Sequence, residues 1–91
     1  MTRNYLIKRK GHREKYEEKK VYKSVYAACH VCEMPEKDCG AIARSVTKEI
    51  TSMVRKRKIK SSNDIFRTAI KLLKEQHKDA AFMYETHRDV S

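Results

Sequence analysis

A chain of 91 residues has room for one core and not for two. It is 40% hydrophobic and 37% charged, with a formal net charge of +10, the balance of a small fold with a dense cationic surface. No apolar run approaches the ~20 residues that span a bilayer, and Met1-Thr2-Arg3-Asn4 has no apolar h-region behind it, so neither a membrane-spanning helix nor a secretory signal is expected and the cytoplasm is the default.

In chain order, residues 1–4 read as a tail and residues 5–91 as a single domain. Two glycines and one proline leave little room for turns, so helices should dominate. Tyr5 and Ile7 open a short strand that ends at Lys10-Gly11, a turn signal, and Arg13 to Tyr16 form the return strand. Glu17-Glu18 put negative charge where a helix N-terminus favours it. From Val21 the apolar spacing turns helical through Val25, Ala28, Cys29 and Cys32, and this first helix stops near Glu33-Met34. Pro35 suits the first turn of a second helix. That helix runs to about Arg55, with Cys39, Ile42, Ala43, Val46, Ile50 and Met53 as its stripe. The basic run 55–60 holds Ile59 as its lone apolar residue and reads as a loop or a brief third strand. Ser61-Ser62-Asn63-Asp64 starts a third helix, with Ser or Asn as N-cap and Ile65, Ala69, Leu72 and Leu73 on its apolar face. A polar break over residues 76–79 precedes a fourth helical segment carrying Ala80, Met83, Tyr84 and His87 on one side. The order β-β-α-α-(β)-α-α describes a mostly α fold: a four-helix bundle capped by a small β-hairpin or three-stranded sheet.

Charge is unevenly placed. Residues 1–24 hold nine Lys/Arg against three Glu, residues 25–54 three against four acids, and residues 55–91 ten against five. If the N-terminal hairpin and the run 55–60 meet in space, the fold has one electropositive pole that attracts polyanions. Within the first segment, Lys8, Arg9, Lys20 and Glu14 surround an apolar floor that includes Ile7 and Val21. Cations for phosphates beside apolar side chains for a base suit a nucleoside triphosphate.

No G-x-x-x-x-G-K-[ST] is present, which argues against a P-loop hydrolase. His12, His30, His77 and His87 are scattered and read as surface or packing residues. Cys29, Cys32 and Cys39 make an odd count, expected to be reduced. A structural zinc needs four ligands, and His30 is the only nearby fourth candidate, turned away from the cysteines on a helix. Buried thiols that pack as small hydrophobes are therefore expected, and no structural metal.

These residues resemble the ATP-cone domain, the regulatory nucleotide-binding module of many ribonucleotide reductases and of the zinc-ribbon repressor of their genes. Leu6-Ile7-Lys8-Arg9-Lys10-Gly11 looks like the family's V-x-K-R-D-G. Glu14, Lys20-Val21, Ser24 and Ala28-Cys29 follow in the family's order, as do Ser62, Asp64-Ile65 and Ala81-Phe82-Met83-Tyr84. The resemblance covers about residues 5 to 88. It implies a helical bundle capped by a small sheet, and a non-catalytic allosteric domain that binds ATP or dATP, with or without Mg²⁺. On this resemblance Lys8, Arg9 and Lys20 hold the triphosphate, and Glu14 meets the ribose or base. Ser62 stands at a helix start, where free N–H groups favour phosphate. Tyr16, Val21 and Ile65 wall the adenine. Lys10 departs from the usual aspartate, Glu17 from a polar amide or aspartate, and Phe66 from the histidine of some dATP-inhibited reductases. The last leaves the choice between ATP and dATP open. With no catalytic barrel after it and no zinc ribbon before it, the domain is expected to be free-standing. It would then signal to a partner chain, a ribonucleotide reductase or regulator, or act through homo-oligomers. The alternative from another class is a basic nucleic-acid-binding protein or reduced transcriptional regulator. The run 55–60 would then contact phosphates, although no recognition helix or base-stacking motif accompanies it.

Overall fold

The computed structural model describes residues 5–7 and 13–86, with side chains over residues 15–86. Its elements are β1 (Tyr5–Ile7), β2 (Arg13–Lys15), α1 (Glu18–Val31), α2 (Glu36–Arg55), α3 (Ser62–Gln76) and α4 (Lys78–Thr86). The helices close a ring, α1 against α2, α2 against α3, α3 against α4 and α4 against α1. Val25, Cys29, Cys39, Ala43, Ile50, Ala69, Leu73 and Ala80 meet at the centre and are fully buried. The three- and four-residue spacing of apolar side chains explains the arrangement, since each helix presents one stripe to that centre.

On α2 the buried seam is broader than the expected stripe. Thr47, Thr51 and Val54 turn inward, while Ile42 and Met53 pack at its edge, partly buried. Pro35 is the N-cap of α2 and stands just outside its first turn, with Glu36 and Asp38 inside that turn complementing the helix dipole.

Helices α1 and α2 stop in the same way. Glu33 N–H donates to His30 O at 2.9 Å and Met34 N–H to Cys29 O at 3.4 Å. Arg57 N–H donates to Val54 O at 3.0 Å and Lys58 N–H to Met53 O at 2.9 Å. Both are Schellman endings, which need a left-handed residue at the position that glycine usually fills. Glu33 and Arg57 occupy it with φ of 60° and 59°, a conformation costing an L-residue about 1–2 kcal/mol.

The α3 start is built from side chains. Ser61 Oγ accepts from Asp64 N–H at 3.1 Å, and Asp64 Oδ2 accepts from Lys60 N–H at 3.3 Å, a close variant of the capping box. Ser61 is thus the N-cap, and Ser62 opens the helix. The expected four-residue polar break before α4 is one residue, His77, for a physical reason. Its N–H closes α3 onto Leu73 O, and its Nδ1 accepts from Ala80 N–H at 3.1 Å, so one residue ends one helix and caps the next. That bond places the ring proton on Nε2.

β1 and β2 pair antiparallel, with Tyr5 opposite Lys15, Leu6 opposite Glu14 and Ile7 opposite Arg13. The Lys10-Gly11 turn lies outside the described residues. The expected cap over one end of the bundle is not seen among the described residues. Neither strand packs against a helix to anything like the extent that the helices pack on one another, and two three-residue strands offer too little surface to dock firmly by themselves. The run after α2 is turn and irregular chain up to a single bridge residue at Ser61, so no third strand forms among the described residues. Ile59 leaves that run for the core, only 3% exposed.

Candidate functional site

The segment that joins β2 to α1 is tied to the C-terminal half of α2. Thr51 Oγ1 donates to Glu18 Oε2 at 3.2 Å. Its single proton is thereby used, so the 2.7 Å contact with Tyr16 Oη is a bond that the phenol donates. The chain Tyr16 to Thr51 to Glu18 fixes the residue that follows β2 against a helix one turn before the basic run. Burial lifts the Tyr16 phenol pKa above its ordinary 10.0. The Glu18 charge adds to that rise, and the Arg55 charge opposes it. Tyr16 and Arg55 are therefore electrostatic neighbours, and the start of the run 55–60 lies beside the end of β2.

The other expected site residues fall into three groups. Val21 and Ile65 are 7% and 8% exposed and belong to one apolar cluster, with Tyr16 partly buried against it. Lys20 is exposed, and its Nζ lies 3.1 Å from Glu17 Oε2; Ser62 is at the first position of α3. Ile7 and Glu14 lie in β1 and β2, where the backbone alone is described. Lys8 and Arg9 lie outside the described residues, as do Lys10 and His87. Tyr16, Val21 and Ile65 thus all belong to the one core that the four helices share, and Lys20 precedes Val21 by one residue.

Sequence reasoning missed Thr51, which no motif marks. Its signal was a polar residue at helical spacing from Thr47, on the inward side of the stripe. Phe66, half-buried, stacks on Tyr84 with centroids 5.6 Å apart and planes at 24°. The tyrosines of α1 stack along their own helix, Tyr22 on Tyr26 at 6.0 Å and Tyr26 on His30 at 6.3 Å. His30 and His77 are thereby explained by packing and capping.

Cys29 and Cys39 are fully buried and Cys32 partly so. Burial, with smaller contributions from the Cys39 and Cys32 charges, pushes the Cys29 thiol up to about 11. It therefore stays protonated at neutral pH and is a poor nucleophile or ligand. No three His, Cys, Asp or Glu side chains converge to hold a metal among the described residues. None of the described helices is long and apolar enough to cross a membrane.

A groove of about 600 Å³ runs along α1 and α2, lined by Glu18, Tyr22, Arg44, Thr47, Lys48, Thr51, Ser52, Arg55 and Lys56. Thr47 Oγ1 is buried in its wall without a hydrogen-bond partner among the described residues.

Comparison with curated protein sequences returned no match. The model of the ATP cone domain matches residues 4–89, nearly the whole chain. The strand pair, the four helices and the Ser61-capped start of α3 all lie within that match, so the chain belongs to the ATP-cone family of regulatory, adenine-nucleotide-binding domains.

Proposed function

We propose that this chain is a free-standing allosteric sensor of ATP or dATP, non-catalytic, with its site around the β2–α1 junction and the start of α3. The ATP-cone match over residues 4–89 carries this reading. Lys8, Arg9 and Lys20 hold the triphosphate, Ser62 receives a phosphate at the α3 start, and Glu14 meets the ribose or base. Ile7, Tyr16, Val21 and Ile65 supply the apolar surface for adenine. The packing of Tyr16, Val21 and Ile65 in the core of the bundle and the exposed ammonium of Lys20, one residue before Val21, are compatible with the assignment. The Lys20–Glu17 pair is no obstacle, because an exposed ion pair contributes only about 0–1 kcal/mol and gives way to a multiply charged phosphate. Where Mg²⁺ accompanies the nucleotide, it is held by phosphate oxygens and water, as is usual for this ion.

Signalling follows from the loosely attached strand pair. Bound nucleotide draws β1 and β2 onto α1 and α3, which forms the cap and changes the surface offered to a partner. The listener is a ribonucleotide reductase or its regulator on another chain, or a second copy of this one. Thermal unfolding with ATP, dATP, ADP and GTP tests the reading. An adenine nucleotide at about 100 times its Kd adds about 2.7 kcal/mol of stability, and GTP at the same concentration adds less. Unchanged melting with every adenine nucleotide contradicts it.

A further inference from the structure

None of the cations of α2 and the loop after it is among the residues assigned to the nucleotide, although Arg55 is an electrostatic neighbour of Tyr16. Between residues 44 and 60 the chain holds seven cations, Arg44, Lys48, Arg55, Lys56, Arg57, Lys58 and Lys60, against one carboxylate, Glu49. All seven are exposed, and none forms an ion pair among the described residues, where Lys20–Glu17 is the pair that forms. Arg44, Lys48, Arg55 and Lys56 line the same groove, so they share one side of the helix. At 1.5 Å per residue they extend over about 18 Å.

The negative C-terminal end of α2 explains cations in its last turn. It does not account for Arg44 and Lys48, about three and two turns earlier. It also leaves unexplained an arginine in the left-handed position that ends the helix, at φ 59°. Protein partners are recognised through a buried apolar or aromatic centre. The exposed large apolar side chains among the described residues are Val31 and Phe82, and neither lies on this stripe. A long row of unpaired cations, with Tyr22 as the one aromatic and Glu18 as the one carboxylate in their groove, suits a ligand whose negative charges repeat at short intervals. Duplex nucleic acid, with a charge per about 1.7 Å of axis, has that property.

We propose that the outer side of α2 and the loop after it form a track for the phosphate backbone of duplex nucleic acid, bound without regard to sequence. Phosphate contacts position a protein and carry no sequence information, and no base-reading element accompanies the stripe.

The test is fluorescence anisotropy of the full chain with labelled DNA duplexes of two unrelated sequences. Each phosphate contact weakens binding about 3.5-fold between about 50 and 200 mM salt, so each of the double variants Arg44→Gln/Lys48→Gln and Arg55→Gln/Lys56→Gln, with two contacts fewer, should lose about ten-fold less affinity than the parent over that range. Both sequences should bind alike. Circular dichroism and melting of the variants should match the parent, since exposed substitutions of this kind change stability by about 0.5 kcal/mol or less. The proposal is overturned by absence of duplex binding at low salt, or by salt dependence unchanged in both double variants. It is also overturned if poly-glutamate displaces the duplex as well as unlabelled DNA of equal charge, which marks an acidic protein as the partner. Equal displacement by inorganic tripolyphosphate overturns it as well, and marks a small-anion site.

Discussion

Two cationic regions lie on either side of Thr51, and they are built differently. Toward β2 and α1, one exposed ammonium, Lys20, stands beside an apolar cluster containing Tyr16, Val21 and Ile65, and a hydrogen-bonded chain through Thr51 and Glu18 holds the approach. Along the outer side of α2, four cations share a groove with Glu18, Tyr22, threonines and Ser52. Charge alone would make both generic anion surfaces. What separates them is the number and spacing of the cations: the first sets Lys20 at the edge of the buried core, whereas the second runs four cations along a groove whose one aromatic is Tyr22.

Substitutions sharpen this contrast in descending order of effect. Ile65→Ala should be the most damaging, because Ile65 is core as well as proposed adenine wall. A buried isoleucine truncated to alanine costs about 2–5 kcal/mol, read as a fall in the denaturation midpoint. Arg44→Gln/Lys48→Gln should leave that midpoint nearly unchanged. If the two variants are equally stable, the distinction between an apolar-backed site and a solvated stripe fails.

Tyr16→Phe removes the hydroxyl that donates to Thr51 while keeping the ring. The expected loss is about 1 kcal/mol in urea unfolding, and any larger loss would mean that the Thr51–Glu18 bond depends on it. The two left-handed helix ends supply a smaller, paired test. Glu33→Gly and Arg57→Gly should each stabilise the fold by up to about 1 kcal/mol by relieving a positive φ. They should differ in one respect. Arg57→Gly alone should reduce the salt slope of polyanion binding, by about 1 if Arg57 contacts a phosphate.

Helix positions were readable from the sequence because they rest on local signals: Val25, Cys29, Ala43, Val46, Ile50, Ala69 and Leu73 recur at helical spacing, and Ser61-Ser62-Asn63-Asp64 can start a helix and little else. Element ends were less legible. The double duty of His77 and the Schellman endings at Glu33 and Arg57 depend on backbone geometry, and neither glutamate nor arginine signals a left-handed position. Thr51 was invisible because a threonine on an apolar stripe reads as tolerated core, and its value comes from Tyr16 and Glu18, more than thirty residues away in the chain. The expected cap failed for another reason. Strand pairing is a local matter of Tyr5–Ile7 against Arg13–Lys15, whereas docking the pair on the helices needs buried area that six residues do not supply. Of the site, Tyr16, Val21 and Ile65 could be grouped from resemblance alone, and in the structure all three belong to the general core of the bundle.

The central claim is that the cations near the β2–α1 junction serve an adenine nucleotide, and isothermal titration of ATP into the parent and Lys20→Ala tests it most directly. The parent should bind ATP in preference to GTP. The variant, deprived of one charge-assisted phosphate contact of about 1.5–3 kcal/mol, should bind ATP roughly 10- to 100-fold more weakly at unchanged stability. Equal affinity of parent and variant for ATP would contradict the site, and absence of ATP binding by the parent would contradict the function.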